Sequence, residues 1–280
     1  MNAFSVVVLT LNEERNLAQC LQSARGCDNL VVLDSGSTDR TAEVARDCGA
    51  QIVVNPFLDF AQQRNFAHTS IHFRHPWLFH LDADEQLTPE LIEELNTIAG
   101  TGRTDVDGFW VAPRMIYRGR WIPHCTDFPA YQARFVRPDS FRFIQVGHGQ
   151  REAPEMRMAR VAANYLHDLS ADGEQALVDK HRRYAKQEAH AHLSHAPTTL
   201  PGLRSMVSGS ALERRRALKA LSQRLPARGP LRFVYQYVLR RGFLDGQPGL
   251  AYCLLMARYE HWIGREIRVR SPHAHVRPLR

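Results

Sequence analysis

Residues 78–85 read LFHLDADE, an apolar run that ends in the carboxylates Asp82 and Asp84. The run predicts a buried strand delivering its acids to the rim of a cleft. Side chains alternate along a strand, so residues two apart share a side, and the short Ala83 between them obstructs nothing. Like charges that close repel unless a cation lies between them. A hard divalent ion, Mg or Mn, that also holds substrate phosphates would relieve the repulsion. Taken alone, the triplet reads equally as the cap of the following helix.

Working outward, residues 4–11 (FSVVVLTL) form a near-continuous β-branched and apolar run, the pattern of a strand buried on both faces of a parallel sheet. Asn12-Glu13-Glu14 then predicts the opening of a helix that runs to about residue 25. Residues 30–33 repeat the strand pattern and end at Asp34, and the turn 35–39 leads into a helix over 41–48. A strand over 51–54, a helix over 60–69 and a strand over 77–81 follow, and Thr88-Pro89-Glu90 caps the next helix. Strand and helix alternate, so the first hundred residues predict a doubly wound α/β unit, in which ligands collect beyond the carboxyl ends of the strands. Thr10 to Glu13, Asp34 to Asp39 and residues 82–85 all fall on that edge. Three polar clusters at three strand ends weigh against a mere helix cap. Asp34 is placed to accept hydrogen bonds from a base or ribose, Thr10 and Glu13 to line a nucleoside pocket, and a metal at Asp82 and Asp84 to hold a diphosphate.

A dinucleotide oxidoreductase is the natural rival, but its first turn needs G-x-G-x-x-G and residues 10–15 here read TLNEER. A P-loop is also absent.

The segments VVVLTLNEERNL (6–17), VVLDSGSTDRTAEVA (31–45), Gln62-Gln63-Arg64-Asn65 and WLFHLDADEQLTPEL (77–91), in this order, closely resemble family 2 glycosyltransferases of the GT-A fold. They are similar in particular to bacterial lipopolysaccharide-core β-glucosyltransferases. The resemblance implies a Rossmann-like mixed α/β sheet and a UDP-sugar donor. It implies that Asp34 binds the uracil or ribose, with Thr10, Asn12, Glu13, Ser35 and Ala83 around the donor. Asp84 would coordinate Mn or Mg with Asp82 nearby, and Arg64 and Asn65 would lie beside the donor.

Residues 105–165 read as short strands and loops with an Arg-rich hairpin near 156–161, and most of the acceptor site is expected there. Gln132-Ala133-Arg134-Phe135 resembles the family's Gln-x-Arg-hydrophobic strand, and HGQRE at 148–152 occupies the place of its His-Glu element, with three residues separating the pair here. Gln132, Arg134, His148 and His167 are thereby assigned to the acceptor or phosphate side. His167, after the apolar residues 161–166, stands where relatives also carry a His; a core imidazole is the alternative. Single-displacement transfer needs a base for the acceptor hydroxyl. Glu152 is the first candidate, Asp127 the second and Glu155 the third, each against the alternative of a surface carboxylate paired with Arg151 or Arg157. His190, His192 and His195 do not read as a zinc site, because on a helix His190 lies about 200° from His192.

From residue 172 onward the chain turns helical. Helices are expected over 173–193, with a basic face of His181, Arg182, Arg183, Lys186 and His190, and over 202–225, 230–244 and 250–267, with a turn at 245–249. Residues 231–244 mix large apolar side chains with Arg232, Arg240 and Arg241, the pattern of an interfacial amphipathic segment. RRGFLDGQPGLAY (240–252) again resembles the family, in which such C-terminal helices accompany work on membrane-embedded glycolipids. The expected organisation is a GT-A catalytic domain over 1–170, with residues 1–100 binding the nucleotide sugar and residues 101–170 forming the acceptor side, followed by a helical membrane-proximal region over 171–280.

Lys and Arg number 36 against 29 Asp and Glu, a net charge of +7 that favours an anionic partner. The five scattered cysteines, without C-x-x-C, read as reduced thiols of a cytoplasmic protein. No basic leader precedes the first strand, and residues 249–257 are too few to cross a bilayer, so membrane contact is expected peripherally, at the inner face of the cytoplasmic membrane. The leading reading is an inverting, metal-dependent transfer, with UDP-glucose as the expected donor and a lipopolysaccharide-core glycolipid as acceptor. No nucleic-acid partner is expected. A nucleotidyltransferase on the same fold and a non-catalytic basic binding protein are the alternatives.

Overall fold

The computed structural model describes residues 2–102, 104–146, 149–194 and 227–270, apart from the side chains of residues 191, 192 and 194. The described residues fall into two compact units, one within 2–123 and 127–172, the other within 124–126, 173–194 and 227–270.

In the first unit, β1 (Ser5–Thr10) is buried at every residue and lies between β2 (Leu30–Asp34) and β4 (Leu78–Asp82), parallel to both. β3 (Gln51–Val54) adds a parallel edge beside β2. The register sets Thr10 opposite Asp34 and Leu9 opposite Asp82, so three strand ends bring their polar residues to one edge. Alternation then sorts the core. Val6, Val8, Phe79 and Leu81 pack against α1 (Leu17–Ser23), α2 (Thr41–Asp47) and α4 (Pro89–Gly100), while Val7 and Leu78 face Ala67 and Ile71 at the end of α3 (Phe60–Ser70). Thr88 caps α4 as expected, its hydroxyl accepting from the Leu91 N–H at 3.2 Å.

Beyond β4 the sheet becomes mixed. β8 (Gln132–Val136) runs antiparallel to β4, β6 (Gly108–Tyr117) antiparallel to β8, and β11 (Met158–Asp168) parallel to β6. The short β7 (Arg120–Trp121) flanks β6. β5 (Glu85–Gln86) follows β4 after only Ala83 and Asp84, yet it pairs with the far end of β11, Glu85 opposite His167. The sheet therefore curls until its last strand meets the end of β4. The expected GT-A type architecture, a mixed α/β sheet with a helical C-terminal region, is the one adopted.

Several local expectations are corrected. The first helix starts at Leu17, not at Asn12, because Asn12 takes a left-handed φ of 57° and its side-chain oxygen accepts the Thr38 N–H at 2.8 Å. The hairpin is β9 (Phe143–Val146) with β10 (Gly149–Glu152); residues near 156–161 instead enter the long β11, which pairs with β6. Residues 230–244 are not one helix. α6 (Arg228–Phe233) passes into a π-helical turn, Val234–Leu239, and a 3₁₀ turn, Gly242–Asp245, after Arg241 adopts a φ of 61°.

The second unit also contains α5 (Glu174–Ser194) and α7 (Gly246–Arg270), which starts within the stretch expected to be a turn. Buried Asp245 accepts from the backbone N–H groups of His124 and Cys125 at 3.0 and 2.9 Å and pairs with His124 Nδ1 at 2.6 Å. Gln236 donates to the Cys125 carbonyl at 2.8 Å. The expected helix over 202–225 and His195 lie outside the described residues. No helix among the described residues is long and apolar enough to cross a membrane.

Candidate active site

The edge formed by β1, β2 and β4 carries two hydrogen-bonded clusters. At the first, Asp34 is 4% exposed at the end of β2. One of its oxygens accepts from the hydroxyls of Thr10, at 2.9 Å, and of Ser37; the other accepts from the N–H groups of Gly36 and Ser37 at 3.1 and 2.8 Å. Both oxygens are thus engaged by the chain's own donors, and Asp34 shapes the turn beside any ligand. Ser35 donates its N–H to the Thr10 carbonyl at 2.9 Å and accepts from Gln63 Nε2 at 3.2 Å. Glu13 donates its N–H to Thr41 Oγ1 and accepts from Asn16 Nδ2 at 2.9 Å.

The second cluster surrounds the paired carboxylates. β4 ends at Asp82 and the chain turns through Ala83 and Asp84, so the two acids do not act as a pair on one strand; their carboxylates meet different partners. Residues 78, 80 and 82 face α3 by alternation, and Arg64 of α3 donates from Nη2 to Asp82 Oδ1 at 2.7 Å. Arg134 of β8 donates from Nη2 to Asp82 Oδ2 at 2.9 Å and to Glu85 Oε1 at 2.6 Å. Both guanidinium groups are buried. Burial opposes ionisation of Asp82, but the charges of Arg134 and Arg64 outweigh it and hold the carboxyl well below its ordinary range. Glu85 is wholly buried; its other oxygen accepts the Asp82 N–H at 2.8 Å, and burial pushes its carboxyl up to about 8 against the pull of Arg134.

Asp84 is free of the arginines. Its Oδ2 lies 3.3 Å from His167 Nε2, and His167 Nδ1 lies 3.6 Å from Glu85 Oε1. Burial disfavours the imidazolium of His167, yet the contact with Asp84 and the charges of Asp84, Glu85 and Asp82 raise its pKa above the usual histidine value. An oxygen and a nitrogen donor stand side by side there, each about a quarter exposed. Among the described residues no three His, Cys, Asp or Glu side chains are arranged to hold a metal ion.

The sequence profile of glycosyl transferase family 2 matches residues 5–152, just over half of the chain, from the start of β1 to the end of β10. The chain belongs to glycosyl transferase family 2. A lipopolysaccharide core biosynthesis glycosyltransferase, LpsC of Rhizobium meliloti, is 36% identical over 108 residues, 34% of this chain and 39% of that protein. An uncharacterized glycosyltransferase of Rickettsia typhi is 31% identical over 121 residues, 42% of this chain and 41% of that protein. The matched stretch thus spans about two-fifths of the length of these relatives. Among solved structures, S. aureus TarS 1-349 aligns over 98% of this chain and 93% of that chain at 16% identity with a TM-score of 0.42.

For a family 2 glycosyltransferase, the remaining sequence-assigned residues fall as follows. Asn65 donates to the Phe143 carbonyl and accepts from its N–H, both at 2.9 Å, and so pins β9 to α3. Gln132 is half-buried on β8 opposite Val111. Arg134, assigned by its strand to the acceptor side, lies against Asp82 and Glu85. Glu152 ends β10 opposite Phe143, whose ring centre lies 5.8 Å from the Arg64 guanidinium. Directly opposed residues share a face of a hairpin. Asp127 is exposed, and Glu155 forms an exposed ion pair with Arg142 at 2.7 Å. His148 lies outside the described residues.

Sequence reasoning gives no role to two participants, although it places one of them, Glu85, on the ligand edge. Glu85 follows the carboxylate pair directly, and the apolar Leu87 after it is the available sign of a buried position. His80 alternates with Leu78 and Asp82; its Nε2 lies 2.8 Å from His68 Nε2, and His68 Nδ1 lies 3.0 Å from the Phe141 carbonyl. The carbonyl requires the proton on His68 Nδ1, which leaves His80 Nε2 to donate to His68.

Proposed function

We propose that the chain transfers a sugar, glucose first among candidates, from a UDP-sugar to a lipopolysaccharide-core or related glycolipid with inversion, assisted by a divalent cation. The observation that carries this reading is the division of labour at the end of β4. Asp82 is neutralised by Arg64 and Arg134, while Asp84 and His167 offer neighbouring oxygen and nitrogen donors. That mixed set, a carboxylate oxygen from Asp84 and an imidazole nitrogen from His167, fits Mn better than Mg, which prefers oxygen ligands alone. When bound, such an ion supplies electrostatic stabilisation of the departing diphosphate. The arginine-held Asp82 and buried Glu85 keep the Ala83-Asp84 turn in place, and the Thr10, Asn12, Asp34 and Ser35 loops form the neighbouring nucleoside side. Glu152 is the proposed base for the acceptor hydroxyl, with Asp127 second. The lipopolysaccharide acceptor draws support from the name of the Rhizobium relative. Membership in the family favours glycosyl transfer over the nucleotidyltransferase and binding-protein alternatives.

A thermal-shift panel of nucleotide sugars with and without Mn tests the reading, since a ligand that binds only the folded state raises its stability. The expected result is strong stabilisation by a UDP-sugar that depends on metal, with release of UDP rather than pyrophosphate on turnover. Metal-independent stabilisation, or none by any UDP-sugar, overturns it.

A further inference from the structure

The hairpin of β6 and β7 presents a tryptophan that internal packing does not cover. Arg118 and Gly119 take left-handed φ values of 51° and 72° between the paired residues Tyr117 and Arg120, the conformation of a tight two-residue hairpin turn. The turn sets Trp121 opposite Ile116, and the Ile122 N–H, donating to the Met115 carbonyl at 3.1 Å, holds the chain just beyond it. Phe128 meets the indole nearly at right angles with ring centres 5.1 Å apart, and the Arg114 guanidinium stands over the indole at 5.2 Å. Trp121 is nevertheless 37% exposed. Arg114 is held in place without being neutralised. Its Nε donates to Asn164 Oδ1 at 3.3 Å, and Asn164 Nδ2 is tied to the Ala112 carbonyl at 3.1 Å. Among the described residues no carboxylate pairs with Arg114, and its terminal nitrogens have no hydrogen-bond partner. A planar fork with an uncompensated charge, fixed beside an exposed ring, suits a phosphate or a carboxylate.

Register connects this platform to the end of β4. Trp121, Ile116 and Asp168 lie opposite one another on β7, β6 and β11 and so share a face of the sheet, and the Asp168 N–H donates to the Asp84 carbonyl at 3.1 Å. Two strand spacings, roughly 10 Å, separate Trp121 from Asp168, a distance that a short saccharide spans. One oxygen of Asp168 accepts from the Ser170 N–H and hydroxyl at 2.8 and 2.9 Å; the other has no partner among the described residues and can accept from a ligand hydroxyl. The nucleoside side is remote from here, since β1, β4 and β8 stand between β2, which carries Asp34, and β6. An aromatic ring for the apolar face of a sugar, a carboxylate for its hydroxyls and a guanidinium for an anionic substituent together describe an acidic saccharide.

We propose that Trp121 and Arg114 form the acceptor subsite for a sugar that bears a phosphate or a carboxylate, the unit next to the one that is glycosylated. Trp121 packs against the ring, Arg114 takes the anionic group, and Asp168 lies on the way to the Asp84 turn. As an acceptor subsite it rests on the transferase reading; as a binding site for acidic sugars it does not.

The test is a ligand-observed NMR titration of the full chain with the methyl glycosides of mannose 6-phosphate and glucuronic acid, against those of mannose and glucose and against inorganic phosphate. An acidic glycoside should bind about tenfold or more tighter than its neutral counterpart and than inorganic phosphate, the scale of one hydrogen-bonded charge pair. The phosphate and carboxylate arms show which anion the site takes. Arg114→Gln should erase the preference, and Trp121→Ala should weaken the acidic glycoside by about fivefold or more. If either variant does not fold, Arg114→Met or Trp121→Leu carries the same comparison. No binding of either acidic glycoside, equal binding of acidic and neutral ones, inorganic phosphate bound as tightly as the sugar phosphate, or an unchanged preference in Arg114→Gln overturns the proposal. Stabilisation by UDP-sugar on the same samples separates the two readings. A UDP-sugar response without a preference for acidic glycosides condemns only the subsite, and an Arg114-dependent preference without a UDP-sugar response condemns only the transferase reading.

Discussion

Arg64 and Asp82 join α3 to the end of β4 through a 2.7 Å contact in which the guanidinium is 1% exposed. Two further nitrogens of Arg64, Nε and Nη1, are buried without a partner, although the Phe143 ring lies beneath the guanidinium at 5.8 Å. A buried cation with so few partners is costly, and the single carboxylate is its main compensation. Asp82→Asn should therefore lower stability, with a reduced melting temperature. It should leave the metal-dependent response to UDP-sugar detectable, because Asp84 and His167 remain.

Asp84→Asn should behave in the opposite way. Asp84 makes its side-chain contact with His167 and none with the arginines. Its loss should change the melting temperature little and abolish the Mn-dependent shift with UDP-sugar, with transfer falling by about a hundredfold or more, the scale of losing one preorganised electrostatic group. His167→Ala should show the same loss of metal response. An unchanged Mn response in both variants would remove the metal role from this pair.

Arg134 is the member of the cluster on which both Asp82 and Glu85 depend. Arg134→Met takes one of its two cations from Asp82 and removes the donor from Glu85 Oε1, a carboxyl that burial already keeps protonated near neutral pH, and the expected cost is about 3–5 kcal/mol of folding stability by urea unfolding. Arg134→Lys should not restore it fully, since one ammonium cannot take the place of Nη2 between the two acids and also donate to the His80 carbonyl, as Nη1 does at 3.4 Å. Glu85→Gln combined with Arg134→Met should recover little of the loss near pH 7, where burial already keeps the Glu85 carboxyl neutral.

This cluster also shows what the sequence could and could not reveal. The parallel strands were legible because β-branched runs bounded by turn residues admit few other readings, and their registers brought Thr10, Asp34 and Asp82 to one edge as expected. Arg64 and Arg134, 70 residues apart, meet on one carboxylate only because the sheet turns antiparallel at β8, which no local pattern encodes. Glu85 reads as an acid in a turn until the curl of the sheet sets it opposite His167. The helix expected over 230–244 fails at Arg241, where left-handed backbone lets the chain turn into the Asp245 contacts with residues 124 and 125.

Glu152 and Asp127 are separable by kinetics. A base for the acceptor hydroxyl acts on the chemical step, so Glu152→Gln should reduce kcat by about a hundredfold or more while UDP-sugar binding, measured by thermal shift, stays intact. Asp127→Asn should retain most of the rate. The reverse pattern would move the base to the exposed loop at Asp127.

His68 and His80 set an acid limit on the fold. Burial drives the His68 pKa from 6.5 down to about 4, and it lowers His80 as well, with the charges of Arg64 and Arg134 adding to the effect. In the unfolded chain both imidazoles take up a proton near pH 6.5. Between that value and about 4 the unfolded state binds more protons than the folded one, so stability rises with pH across this window and is lost as the solution is acidified. At about 1.36 kcal/mol per pH unit, the fall from 6.5 to about 4 lets His68 alone account for at most about 3.4 kcal/mol. Urea unfolding at pH 7 and at pH 4.5 should show this decline, and His68→Gln should flatten it while lowering stability at pH 7 through the altered contact with His80. A variant whose acid profile matches the unmodified chain would mean that the pair is already protonated in the folded state.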